Sequence, residues 1–335
     1  MAPMHSAAFR RRRFQNCLAM GAAFAVLFMA RYNLTVAKVS LGDSLSTESF
    51  GTILGWGSIV YVVGLAIHGP LVDRIGGRRG FLIGLAGACL SNLALGLYLM
   101  RVGVDPGDCH SLSRVVGTIF CVNMYFQSFA TMSIVKVCAY WFHVKERGAF
   151  GSLLGAFLAS GLFFAFAGNA VVLGLVEKVL GGDRHQWAIF LLPAIVLGGL
   201  AGFLLSFLKE KPADAGFDDF STGDQDGGGN ADALGTLELA RRVFLNPVLL
   251  TFGLIEFCTG VVRGAVLHWV PIYAKEVWRL PDDHLLVYGH WGWPQLVFMG
   301  LIVGAVFWLL ARESQGRRRV VLMLSGLLLA LLPFA

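Results

Sequence analysis

FQNCLAMGAAFAVLFMARYNLTVA, residues 14–37, decides the environment in which this chain folds, because Arg31 is the one formal charge it carries. At about 1.5 Å of rise per residue, a helix of that length covers the roughly 30 Å hydrocarbon core of a bilayer. In lipid every backbone N–H and C=O must find its partner within its own segment, so the stretch reads as a membrane-spanning helix. The run Arg10–Arg13 ahead of it also suits a secretory leader. No small-x-small cleavage motif follows, and the segment is expected to stay as a first helix.

Working outward, the same texture recurs. The 335 residues are 56% apolar and only 14% charged, with a mean hydropathy of +0.68, which is more apolar surface than a soluble core can hide. Further spans are expected at 50–72, 80–100, 115–141, 147–173, 187–208, 247–273, 290–311 and 320–335, nine in all with the first. Short alternating strands, the mark of a membrane β-barrel, do not appear. The expected fold class is an all-α membrane protein.

The net charge of +6 is spread over short loops between apolar segments, which orients a membrane protein rather than binding nucleic acid. With the N-terminus in the cytoplasm, the inward loops hold 17 cations and the outward loops seven, Lys38 and Lys275 among them, with three left inside spans. Cys17, Cys89, Cys109, Cys121, Cys138 and Cys258 have no disulfide or metal-ligand spacing, so apolar filling is their expected role. No cofactor, metal or nucleic-acid partner is expected, nor a nucleophile–base pair of an enzyme, and the chain is expected to be a monomer in the bilayer.

Between the sixth and seventh spans lies a polar stretch, Lys209 to Gly235, with Asp218, Asp219, Asp224, Asp226 and the run Gly227–Gly229. It reads as a solvated cytoplasmic linker, residues 209–246, separating a six-helix bundle at 1–208 from a partial second bundle at 247–335. Thr236 is placed to cap a short amphipathic helix, 237–245, along the inner membrane surface. Six helices, a long linker and further helices is the layout of a transporter with two parallel halves. Two markers support an internal repeat: Asp73 and Glu313 in corresponding loops, and Arg31 and Arg263 in corresponding helices.

An arginine at bilayer depth costs at least about 2.5 kcal/mol on insertion scales, so it faces a wet cavity or a partner. Arg31 follows Cys17 by 14 residues and Arg263 follows Val248 by 15, placing both about 21–22 Å from the cytoplasmic ends of their helices. Two guanidinium forks converging from opposite halves suit the tetrahedral oxygens of a phosphate group. The alternative is snorkelling to the outer interface.

MARYNLTVAKVSL (29–41), GPLVDRIGGRRG (69–80), YFQSFATMSIVKVCAYWFHVKERG (125–148) and NPVLLTFGLIEFCTGVVRGAVLHWVPIYAKEV (246–277) resemble the corresponding parts of organophosphate:phosphate antiporters of the major facilitator superfamily. The resemblance implies two six-helix halves, the second incomplete at Ala335, and a phosphate site at the midplane formed by Arg31 and Arg263. It also implies exchange of a phosphorylated metabolite for inorganic phosphate by alternating access, in a bacterial inner membrane. At positions where the family carries a helix-2 lysine and a helix-5 histidine and asparagine, this chain has Leu65, Leu158 and Ala159.

Other polar residues in the spans are expected to assist. Lys136 is a replacement cation or a second ion-pair partner, and Gln127 with Asn123 either bonds a substrate hydroxyl or ties helices together. Glu256 lies two turns before Arg263, as a coupling-proton carrier or a partner of Lys136. Asp73 with Arg78, assisted by Arg74, forms a gate latch or simply enforces topology. Gly148, Gly151, Gly155 and Gly161 permit close approach in helix 5. Two rival functions stay open: a proton- or sodium-coupled symporter of sugar acids, and a membrane sensor of phosphorylated sugars.

Overall fold

The computed structural model describes residues 6–102, 109–181, 185–223, 241–242, 244–281, 284, 286 and 287. Nine α-helices organise them: α1 Ala7–Leu41, α2 Thr47–Ile75, α3 Gly77–Val102, α4 Cys109–Trp141, α5 Arg147–Phe163, α6 Asn169–Leu180, α7 Ala188–Phe207, α8 Pro247–Gly264 and α9 Val270–Glu276. Phe164–Gly168 joins α5 to α6 as a π-helical stretch, and Ala265–Trp269 joins α8 to α9 in the same way. The first seven expected spans are therefore helical. Six helices are long and apolar enough to cross a membrane, and the fifth span contributes the shorter apolar helix Phe150–Phe166. The spans expected at 290–311 and 320–335, and Glu313, lie outside the described residues, as does most of the expected helix at 237–245.

Local signals set the helix ends. Ser6 Oγ accepts from the Phe9 amide at 3.2 Å and Ser46 Oγ from the Ser49 amide at 3.2 Å, capping α1 and α2. Asn246 does the same for α8, accepting from the Val248 amide at 3.0 Å, with Pro247 beginning the helix. Between α2 and α3 the only break is Gly76, whose φ of 93° belongs to glycine. Helices begin earlier than the apolar spans suggest: Arg10–Arg13 are part of α1 and not of a loop.

Because lipid is as apolar as leucine, close packing rather than hydrophobicity holds such helices together. A Cβ on Gly84 of α3 would stand 2.7 Å from the Ala130 amide nitrogen of α4, so glycine lets the two backbones touch. In α5 the expectation of close approach holds for Gly161, whose Cβ would meet Phe28 at 2.8 Å. Gly148, Gly151 and Gly155 meet nothing within 4 Å among the described residues. Large apolar side chains point outward, with Trp56, Val62, Leu90 and Ile195 each at least 60% exposed, as a lipid-facing surface requires.

The core divides into two apolar clusters. One, around Phe9, Met20, Phe81, Ile134, Trp141 and Leu204, lies at the end carrying the N-terminus, the near end. The other, around Leu34, Phe50, Leu95, Phe120 and Phe190, lies at the far end. A polar layer separates them at one level in α1, α3 and α4, occupied by Arg31, Ser91, Asn92, Asn123 and Gln127.

The polar stretch after α7 is not a solvated linker over its first part. Asn16 and Lys209 bond reciprocally, side chain to backbone, at 3.0 Å each, and the Trp141 indole donates to the Glu210 carbonyl at 3.0 Å. Phe217 and Phe220 then pack edge-on against Phe9, with centroids 5.5 and 5.6 Å away. The Val144 amide donates to the Thr222 carbonyl at 2.9 Å. Composition alone concealed this, since two phenylalanines among aspartates do not register as a core segment.

Candidate functional site

Arg31 is held from α4. Its Nε donates to Gln127 Oε1 at 2.9 Å, and Gln127 Nε2 donates to Asn123 Oδ1 at 3.2 Å. The guanidinium carbon lies 4.4 Å from the Tyr61 ring centroid and 4.8 Å from that of Phe28, so π faces supply part of the stabilisation a carboxylate would give. Tyr61 is fixed in turn by its hydroxyl, 2.8 Å from Thr131 Oγ1. Gln127 is 1% exposed. It therefore orients Arg31 by spending one donor, and both terminal nitrogens of the fork have no hydrogen-bond partner among the described residues.

Arg263, near the end of α8, is exposed and makes no hydrogen bond or ion pair among the described residues. Arg31 and Arg263 both lie within electrostatic reach of the Tyr32 phenol. Neither has a carboxylate partner among the described residues. The two guanidiniums thus carry spare donors and have no carboxylate counter-ion among the described residues.

α1 and α9 meet at the far end. Lys38, counted in an outward loop by sequence, lies in α1, is 1% exposed and pairs with Glu276 of α9. Thr47 adds a hydrogen bond to Glu276 Oε2 at 2.9 Å. Thr35 Oγ1 lies 2.6 Å from His268 Nδ1, Tyr32 stacks on His268, and Phe50 meets Trp269 edge-on at 5.8 Å. In α8, by contrast, no residue is buried. Among the described residues the contacts of α1 with the α8–α9 segment lie at the far end.

At the near end the expected Asp73–Arg78 latch is replaced by other pairs. Asp73 Oδ1 accepts from Lys136 Nζ at 2.6 Å, and Arg78 donates to the Leu205 carbonyl. Lys136, grouped by sequence with the substrate residues, instead joins α4 to α2 where both helices end. Arg74 is exposed, and Gly77 donates its amide to Glu210 Oε1 at 3.1 Å. Glu256 is exposed on α8 and is not the partner of Lys136. Among the described residues no group of three or more His, Cys, Asp and Glu is placed to hold a metal ion.

Tyr32, Tyr61, His268 and the Lys38–Glu276 pair were missed by sequence reasoning. His268 had a legible signal, an ionisable residue inside a span five positions after an arginine. Lys38 had none, because only the length of α1 places it in the helix.

A helical bundle with a lipid-facing apolar surface and an arginine in its polar layer defines a multi-span integral membrane protein. The chain belongs to the Major Facilitator Superfamily, whose sequence profile matches residues 20–335. It is similar to a phosphoglycerate transporter protein of Salmonella typhimurium, 21% identical over 84% of this chain and 60% of the relative. A putative glycerol-3-phosphate transporter 1 of Arabidopsis thaliana is 25% identical over 65% of this chain and 42% of the relative. The membrane sensor protein UhpC of Salmonella typhimurium is 21% identical over 81% and 58%. The chain spans about half the length of the curated relatives it matches.

Proposed function

We propose that this chain forms the anion-binding part of an alternating-access exchanger that carries a phosphorylated metabolite against inorganic phosphate. The observation that carries the reading is the unpaired state of Arg31 and Arg263: the spare donors of the Arg31 fork and the exposed Arg263 guanidinium, both acting on Tyr32, with no carboxylate to neutralise them. The names of two transporter relatives support phosphorylated compounds as the substrate class. Residues 1–208 serve as the first bundle, 209–246 as the connection and 247–335 as part of the second, working as a monomer.

The near end is cytoplasmic in this reading, since the larger share of cations falls there, and the membrane is a bacterial inner membrane. The far-end contacts between α1 and α9 are read as those of an inward-facing state. Substrate reaches Arg31 and Arg263 from the cytoplasm, draws the near ends of α1 and α8 together, and so weakens the far-end contacts. Asp73–Lys136, with Arg74 and Arg78 beside it, acts as the near-end gate. Gln127 positions Arg31.

A membrane sensor of phosphorylated sugars is the second reading, favoured by the sensor among the relatives and by Leu158, which packs into the near-end apolar cluster where the family carries a polar donor. The test is reconstitution of the 335-residue chain into phosphate-loaded proteoliposomes. Uptake of radiolabelled phosphate that requires internal phosphate, is inhibited by glycerol 3-phosphate and is abolished by Arg31→Gln or Arg263→Gln is expected. Phosphate binding without flux selects the sensor, and uptake driven by a pH gradient without internal phosphate refutes exchange.

A further inference from the structure

His268 follows Arg263 by five positions, inside the π-helical stretch Ala265–Trp269. In a regular α-helix, residues five apart point about 140° away from each other. A π-helical turn closes through i to i+5 hydrogen bonds, which brings the fifth residue back over the first; such bulges concentrate at functional sites. His268 lies within this widened turn, on the side of the helix that meets Thr35 and Tyr32 of α1.

The imidazole is held from α1. Its Nδ1 lies 2.6 Å from Thr35 Oγ1, and its ring stacks on Tyr32 with centroids 4.9 Å apart and planes 12° from parallel. Tyr32 is the side chain on which both arginines act, and Arg31 acts on His268 as well. Nε2, on the opposite side of the ring from Nδ1, makes no hydrogen bond among the described residues, yet it is not one of the sealed, unpartnered polar atoms. It is an open polar atom beside an anion site.

We propose that His268 is a substrate-contacting residue that selects phosphate over carboxylate: the Thr35 hydroxyl donates to Nδ1, and Nε2–H donates to an oxygen of the anion held between Arg31 and Arg263. The proposal rests on the reading of Arg31 and Arg263 as an anion site. The lone pairs of a carboxylate lie in one plane, the plane in which guanidinium forks approach it, whereas a tetrahedral phosphate group presents a further oxygen outside that plane to a third donor. Placement by Thr35 and Tyr32 fixes the donor before the anion arrives, so little ordering is needed on binding.

The two amide substitutions separate this role from a structural one. Asparagine sets an amide near the Nδ1 position and keeps a partner for Thr35, whereas glutamine reaches the Nε2 position and lacks the Thr35 contact. Binding of inorganic phosphate and of gluconate to the purified chain is measured by titration calorimetry, with thermal unfolding of each variant as a check on folding. His268→Asn is expected to weaken phosphate binding about ten-fold or more, the loss of one charge-assisted hydrogen bond. His268→Gln is expected to stay within about three-fold, and gluconate binding to change in neither. Equal loss in both variants, loss only in His268→Gln, or no loss in either overturns the proposal. If the unmodified chain binds gluconate and no phosphate, the phosphate reading itself fails and the proposal falls with it; phosphate binding that ignores His268 but is lost in Arg31→Gln overturns this proposal alone.

Discussion

Replacing Glu276 by glutamine tests whether the Lys38–Glu276 pair holds the far end closed. The two partners are unequally buried: the Lys38 side chain is 2% exposed and that of Glu276 is 39% exposed. Apart from Glu276, the Lys38 ammonium has the Gly42 carbonyl at 3.1 Å. Glu276→Gln leaves a buried cation without a counter-charge, which costs about 3–5 kcal/mol when both partners are fully buried. With Glu276 partly solvated, about 1.5–3 kcal/mol is expected. That moves the equilibrium away from the far-end-closed state by about ten- to 150-fold. Lys38→Met removes the buried charge and leaves a carboxylate that water can reach, so its effect is expected to be several-fold smaller. Spin labels at the exposed positions Thr52 and Val277, on a background with accessible cysteines replaced by serine, report the far-end separation in nanodiscs by pulsed dipolar spectroscopy. Glu276→Gln is expected to shift the distribution to longer distances, and Lys38→Met less. An equal or larger shift for Lys38→Met, or none for Glu276→Gln, refutes the reasoning.

Arg31→Lys keeps the charge but loses the fork and the Nε bond to Gln127, so phosphate affinity measured by calorimetry is expected to fall about ten-fold. Gly84→Ala pushes a methyl against backbone atoms of α4 at 2.7 and 2.9 Å and is expected to cost about 1–3 kcal/mol, read as a lower unfolding temperature in detergent. Gly199→Ala, with nothing within 4 Å among the described residues, serves as control and is expected to be neutral or to gain about 0.5–1 kcal/mol from helix propensity. Phe9→Ala removes the ring that Phe217 and Phe220 pack against, and faster hydrogen exchange over 209–223 with little change in α3 is the expected outcome. Unchanged protection over that segment argues that backbone bonds such as Val144 to Thr222 suffice to hold it.

The residues of the candidate site divide by how far their partners lie along the chain. Arg31 and Arg263 stood out in the sequence as cations within apolar spans because insertion cost depends on the twenty or so residues around each charge, a local quantity. Gln127 was legible only as a polar residue in a span; that it orients Arg31 follows from how α4 is rotated against α1. The Asp73–Arg78 latch failed because residues five apart across the Gly76 break do not share a face, whereas Lys136 reaches Asp73 across the α2–α4 seam. Leu158 packs against the near-end apolar cluster.

The amino-acid sequence settled that this chain lies in a bilayer as helices and where the first seven spans run. Each of those is set by composition within one segment, where lipid forbids an unpaired backbone. Tertiary packing was needed to show that Lys38 pairs with Glu276, that Lys209–Gly223 docks on Phe9 and Trp141, and that His268 meets Thr35 and Tyr32. Those outcomes depend on helix rotation and on contacts between residues far apart in sequence, and apolar patterning carries no information about either.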